Sequence, residues 1–301
     1  MGIRTSNSDR RERFLGVYAP LLLITTLLMW ILGEVLGFGL VVHALGSELK
    51  QEPTIADAFY AAGSALETLG TGDVIVTGPL LRAVFVVAAV IGLGTVAMVI
   101  TLLFSLYAHF QERESGVVTL DARAGAPPSG VTLLETYLRL DMTDLLATTF
   151  SEWELWSARV LDSHLAYPIL AYFRSSHDNE SWISALGAVL DAAVLVVTTV
   201  EEVPKGPALM MAEIGNHLVE DLGHWLHLEE TGEVGVERQE YDEARSRLRA
   251  VGYILGPADP GWEKFSQIRG RYAYRLNNLA RYWATPPAQW IGDRSILSRH
   301  H

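Results

Sequence analysis

Cysteine is absent from all 301 residues, which excludes disulfides and thiolate metal sites and suits a cytoplasmic domain. Charge is absent from two long stretches: Phe14 to Gly33 and Ala83 to Ala108 contain no Asp, Glu, Lys or Arg. No GxGxxG or Walker loop occurs, so a Rossmann-like nucleotide-binding domain is not supported. No arginine-rich helix of the voltage-sensing kind is present, which disfavours strong voltage dependence. No internal repeat appears, so any rotational symmetry must come from several chains.

What is present is apolarity concentrated at one end. Hydrophobic residues make up 50% of the chain and charged residues 19%, with a net charge of −12. The mean hydropathy of +0.21 is high for a soluble enzyme. Twenty helical residues at about 1.5 Å each cover the roughly 30 Å hydrocarbon core of a bilayer, so each uncharged stretch reads as a membrane span. Arg4, Arg10, Arg11 and Arg13 precede the first span, as they would in a signal peptide. The apolar run, however, exceeds a signal h-region and continues past Glu34 through Leu45 without a small-residue cleavage site. Four arginines before the first span, against Lys50 and Arg82 between the two, place both termini in the cytoplasm.

Between the spans, Thr54 to Pro79 reads TIADAFYAAGSALETLGTGDVIVTGP. Pro53 and Thr54 open a helix, Asp57 sits in its first turn, and small and apolar residues follow. A helix over 55–67 is too short to cross a membrane. It leads into Thr68, Leu69, Gly70, Thr71, Gly72 and Asp73, then a short apolar stretch, Val74 to Val76, ending at Gly78 and Pro79.

This order of span, short helix, TLGTGD loop and span resembles the pore of two-transmembrane potassium channels, whose filter usually reads TVGYGD; the resemblance covers roughly residues 14 to 112. It implies an outer helix over 14–42, a pore helix over 55–67, a selectivity filter over 68–73 and an inner helix over 80–108. It also implies a homotetramer in the lipid bilayer, passing monovalent cations, with potassium ions in the filter and no other cofactor. By similarity, the carbonyls of Thr68, Leu69, Gly70 and Thr71 line the path, the Thr68 hydroxyl adds the innermost site, and Asp73 guards the outer mouth. A filter replaces an ion's water by consecutive carbonyls. Alternate positions then need left-handed backbone, which Gly70 and Gly72 adopt without steric cost. The carboxyl end of the pore helix favours a cation in the cavity below.

The departures from that pattern bear on selectivity. Thr71 stands where the commonest filter has Tyr, whose ring packs outward on pore-helix aromatics; Phe59 and Tyr60 lose that partner, and a nonselective cation channel is the alternative outcome. Leu69 for Val is milder, because only its carbonyl faces the ion. Glu67 replaces a hydroxyl residue, and reads either as an acidic ring concentrating cations or as a structural carboxylate bonded to filter backbone. Gly92 and Gly94 in the second span read either as a hinge or as close-packing positions, with an inner gate near Phe104 to Ala108. Glu34 reads as reaching the outer headgroups, with the membrane-embedded part ending near Leu36 and a turret-like loop over 37–52.

Residues 113–130, with GAPPSG at Gly125 to Gly130, read as a linker to a helical cytoplasmic domain over 131–301. After residue 108 there are 27 acidic and 17 basic side chains, so −10 of the net charge lies there and nucleic acid is an unsuited partner. Periodic apolar positions predict helices over Leu133 to Phe150, Glu152 to Phe173, Trp182 to Val200, Ala208 to Leu228, Glu237 to Val251 and Trp262 to Trp283, a bundle rather than alternating strands and helices. Ile183 to Val200 carries only Asp191 and reads as a buried core helix in preference to a third span.

His217, Glu220, Asp221, His224 and His227 recur at helical spacing as a candidate divalent-metal site, with His164 or His177 as further donors, or as ordinary positions between apolar neighbours. The fold class is thus an all-α membrane protein with a reentrant pore helix and a helical cytoplasmic domain. The function that the resemblance implies is a potassium-preferring cation channel and not an enzyme. The alternative is a membrane-anchored helical sensor or metal-binding protein whose pore module does not conduct. The sequence names no gating ligand.

Overall fold

In the computed structural model the described residues are 6–173, 175, 181–229, 236–285 and 288–290; the side chains of 6–20 and 23 are not described. Arg4 and His177 lie outside the described residues, as do the side chains of Arg10, Arg11 and Arg13. The described elements are helical apart from two isolated bridges, Leu49 with Val76 and Val200 with Leu255. They fall into two compact units, Met1–Ala108 and His109–His301.

The first unit holds α1 (Ser6–Ala44), α2 (Ile55–Leu66) and the apolar part of α3 (Pro79–Ala124). Ile24–Ala44 and α3 are long and apolar enough to cross a membrane, and little of their apolar surface is buried within the chain. Helix continues past Leu36 to Ala44, and a short 3-10 turn, Gly46–Glu48, follows where a turret-like loop over 37–52 was expected. Glu34 lies within this continuous helix, ten residues before its end. The core of this unit is small, formed by Val42, Leu49, Ala58, Ala61, Ala62 and Leu81. Small residues let α2 lie close to α1; a Cβ on Gly39 would stand 2.2 Å from the Phe59 ring.

α3 is longer than its apolar stretch suggests. Charged side chains from His109 to Glu114 end the apolarity but not the helix, because Glu, Arg, Leu and Ala all favour it. Helix stops where Gly125 turns left-handed at φ +80, its N–H bonded to the Asp121 carbonyl, with Pro127 and Pro128 beyond. Residues 113–124 are thus helix, and the connection to α4 is short.

The second unit continues with α4 (Gly130–Arg139), α5 (Leu146–Ala166), α6 (Trp182–Thr198), α7 (Lys205–Trp225), α8 (Arg238–Val251) and α9 (Ala258–Tyr282). The helix expected over Leu133 to Phe150 is broken. Asp141 adopts φ +55, and the Met142 and Asp141 N–H groups close back on Tyr137 and Leu138, a left-handed cap that a short polar side chain tolerates. α5 likewise stops at Ala166, before Pro168. α6 is buried from Trp182 through Val196 and forms the centre of the unit, packed by α4, α7 and α9. Its one charge, Asp191, is 1% exposed and accepts from Arg269 Nε at 2.8 Å and the Tyr272 hydroxyl at 2.7 Å. Burial raises the Asp191 pKa, against the pull of Arg269.

A second buried cation sits on α3. Arg113 donates to the carbonyls of Phe173 at 2.7 Å and Leu170 at 3.3 Å, contacts Glu114, and lies over the rings of Phe110 and Trp182. Beside it, His164 donates from Nδ1 to the Val160 carbonyl, so Nε2 faces Arg113 Nη1 at 3.5 Å as an acceptor. Burial, then the charge of Arg113, lowers the His164 pKa to about 4. Unfolded, this imidazole protonates near 6.5, so the unfolded state takes up the proton first as pH falls. We expect the native state to lose about 2 kcal/mol from this residue between pH 7 and pH 5. Thermal unfolding across that range should show a shallower loss for His164→Gln than for wild type.

Candidate functional site

The site is built from α2 outward. The Thr54 hydroxyl accepts from Asp57 N at 3.2 Å while the Asp57 carboxylate accepts from Thr54 N at 3.0 Å, a reciprocal box that starts the helix where the sequence places it. At the other end, Leu69 N bonds to Ser64 O at 2.9 Å and Thr68 N to Ala65 O at 3.2 Å. This is a Schellman cap whose left-handed residue, normally glycine, is Thr68 at φ +53. Left-handed backbone then recurs at Gly70 (φ +59) and Gly72 (φ +78), so alternate residues of 68–72 share it. The two glycines were legible in the sequence. Thr68 was not, since only the cap geometry demands that conformation there.

Thr71 does not lack a partner. Its hydroxyl donates to Asp73 Oδ1 at 2.5 Å, Val74 N donates to the same oxygen at 3.1 Å, and the Tyr60 hydroxyl is also directed at this carboxylate. A polar staple within the loop and to α2 thus stands where the usual filter has an aromatic packing contact. Leu69 is 64% exposed, and the whole of 67–73 is exposed within one chain. Glu67, the C-cap of α2, makes no hydrogen bond to loop backbone among the described residues.

Behind the loop, Glu48 does work that no motif announces. Its carboxylate accepts from Leu81 N at 2.7 Å, capping the amino end of α3 in place of Gly78, which has no side chain. Its carbonyl takes Thr77 N at 2.8 Å and Gly78 N at 3.1 Å, while Lys50 N bonds to Ile75 O at 3.0 Å. The segment leaving the loop is therefore tied to the segment entering α2. A Cβ on Gly92 would stand 2.0 Å from the Leu66 carbonyl oxygen, whereas nothing lies within 4 Å of one on Gly94. Gly92 permits close packing against the end of α2.

The histidine cluster does not assemble. His217 Nε2 pairs with Asp221 at 3.5 Å, Glu220 accepts from Arg275 at 3.2 Å, and His227 turns back to the His224 carbonyl at 3.0 Å. His164 is enclosed with Arg113. Among the described residues no three His, Asp or Glu side chains come together as a metal site. Helical spacing places side chains on one face, but an ion pair from Glu220 across to α9 and local bonds of His217, Asp221 and His227 engage them separately.

With that geometry in hand, residues 30–109 match the family model described as "Ion channel". This stretch runs from within α1 through α2 and the loop into α3, and is similar to the ion channels of that two-transmembrane, potassium-channel-like family. Among curated proteins, the "Uncharacterized membrane protein YdjJ" of Bacillus subtilis (strain 168) is 30% identical over 203 residues, 65% of this chain and 57% of that protein. The chain thus spans little more than half the length of that relative. The 65% exceeds what the 108 residues of the first unit can supply, so the likeness runs on into the second. No solved structure matches. The channel domain, the two apolar helices and the membrane-protein relative make the chain a membrane protein.

Proposed function

We propose that the chain is one subunit of a tetrameric, potassium-preferring cation channel with both termini cytoplasmic, in which ions pass along the carbonyls of Thr68 to Thr71. The observation that carries this reading is the loop itself: residues 68–72 alternate into left-handed backbone at the foot of a capped short helix, and stay exposed within one chain. Irregular backbone at membrane depth is tolerated only where protein encloses it or where it lines a watery path. One loop cannot surround an ion, and four around an axis can. The apolar faces of α1 and α3, unburied within a single chain, fit lipid on one side and neighbouring copies on the other. The α2 carboxyl end carries partial negative charge toward the cavity, and Glu67 adds a formal one there.

The test is the reversal potential of the purified full-length protein in a planar bilayer, potassium on one side and sodium on the other. We expect a large shift toward the potassium equilibrium, because the Thr71–Asp73–Tyr60 staple replaces the missing aromatic contact. Current reversing near zero would make the pore nonselective. No current in any condition would overturn the channel reading.

A further inference from the structure

Glu34 and Thr95 meet inside the apolar part of the first unit. Thr95 Oγ1 donates to Glu34 Oε1 at 2.7 Å, joining α1 to α3 across 61 residues of chain. Glu34 stands in the apolar stretch of α1, where an unpartnered carboxyl group within a membrane is costly. A membrane threonine has a cheaper option, the carbonyl one turn back, and other threonines of these helices take it: Thr25 bonds to Leu21 O, Thr26 to Leu22 O and Thr101 to Ala97 O. Thr95 instead reaches across to the neighbouring helix.

The position of the bond along α3 gives it a consequence. Thr95 follows Gly94, which has open space at its Cβ position, and lies one turn beyond Gly92, which rests against the Leu66 carbonyl at the end of α2. The loop begins two residues after Leu66. Thus α3 is held at two points around Gly94, by backbone contact above and by a hydrogen bond to α1 below. α3 runs without interruption through all of these residues.

We propose that Glu34 and Thr95 form an interhelical clip that keeps α3 straight at Gly94 and so favours the closed pore. The clip rests on the channel reading above. Bending at Gly94 would shift Thr95 relative to Glu34 and break the bond. Glu34 acts here through α3 as a positioning residue, without touching the ion.

The experiment is single-channel recording of the full-length protein in planar bilayers, comparing Thr95→Val, Glu34→Leu, Thr95→Ser and Glu34→Gln. Valine keeps the branched shape of threonine and removes the donor. Serine keeps the donor, and glutamine keeps an accepting oxygen. We expect open probability to rise about threefold or more in Thr95→Val and Glu34→Leu, the size interhelical hydrogen bonds reach in membranes. The double variant should rise no further than either single change, and reversal potential should stay at the wild-type value. Thr95→Ser and Glu34→Gln should stay near wild type. A conducting wild type whose open probability is unmoved or lowered by Thr95→Val overturns the clip and leaves the channel reading intact. So does a rise in Glu34→Leu that Thr95→Val does not share. A silent wild type overturns the channel reading and the clip with it.

Discussion

Replacing Gly70 with valine is expected to abolish current while leaving the second unit folded. Gly70 sits at φ +59, where a Cβ costs about 1–2 kcal/mol and a β-branched side chain is a marked outlier. Nothing lies within 4 Å of a Cβ there, so the loss comes from backbone conformation and not from a clash inside the chain. Valine would pull residue 70 toward extended backbone and turn the flanking carbonyls off the axis, and in a tetramer that happens four times at one level. Bilayer conductance checks the first half of the expectation. Tryptophan fluorescence during unfolding checks the second, since seven of the eight tryptophans lie after residue 108. Wild-type current through Gly70→Val would remove the loop from the conduction path.

The largest expected loss of stability comes from Arg269→Leu. Arg269 is fully buried; its Nε is 2.8 Å from Asp191 Oδ1 and its Nη2 2.6 Å from the Trp290 carbonyl. Removing it strands Asp191 in the middle of α6 with only the Tyr272 hydroxyl, and Asp191 Oδ2 already has no partner. Breaking a buried pair from one side costs about 3–5 kcal/mol, because an uncompensated charge is left in a dry core. Replacing both members with apolar residues of similar volume is often close to neutral, so Asp191→Leu with Arg269→Leu should recover most of the loss. Denaturant midpoints of the full-length protein in detergent, read by tryptophan emission, order the three variants. Equal destabilisation by the single and double changes would mean that Arg269 contributes through packing alone.

How far the sequence could be read depended on the range of the interaction. The α2 start was visible because Thr54 and Asp57 are three residues apart and cap each other. Gly70 and Gly72 were visible because their need for left-handed backbone is a property of the residue itself. The same local logic missed Thr68 and Asp141, which are left-handed because helices end there. The α3 boundary was misplaced because apolarity and helicity stop at different points: the lipid-compatible stretch ends at Ala108, while helix formers carry on to Gly125. The partner of Glu34 was not legible either, since Thr95 lies 61 residues away. The histidine cluster was over-read because helical spacing says which side chains share a face and nothing about which neighbours have engaged them.

Composition and order alone determined that two apolar helices flank a short helix and a glycine-containing loop, and that the rest is an acidic helical region, because burial in lipid and helix periodicity are written in runs of residue type. Only the tertiary structure decided what holds these pieces in place. Glu48 caps α3 from 33 residues away, Thr71 and Tyr60 meet on Asp73, Thr95 finds Glu34, and Arg269 neutralises Asp191 in the core of the second unit. Where such a polar group leaves water, as Asp191 and Arg269 do, it must find a partner wherever the fold brings one. Sequence distance carries no record of that choice.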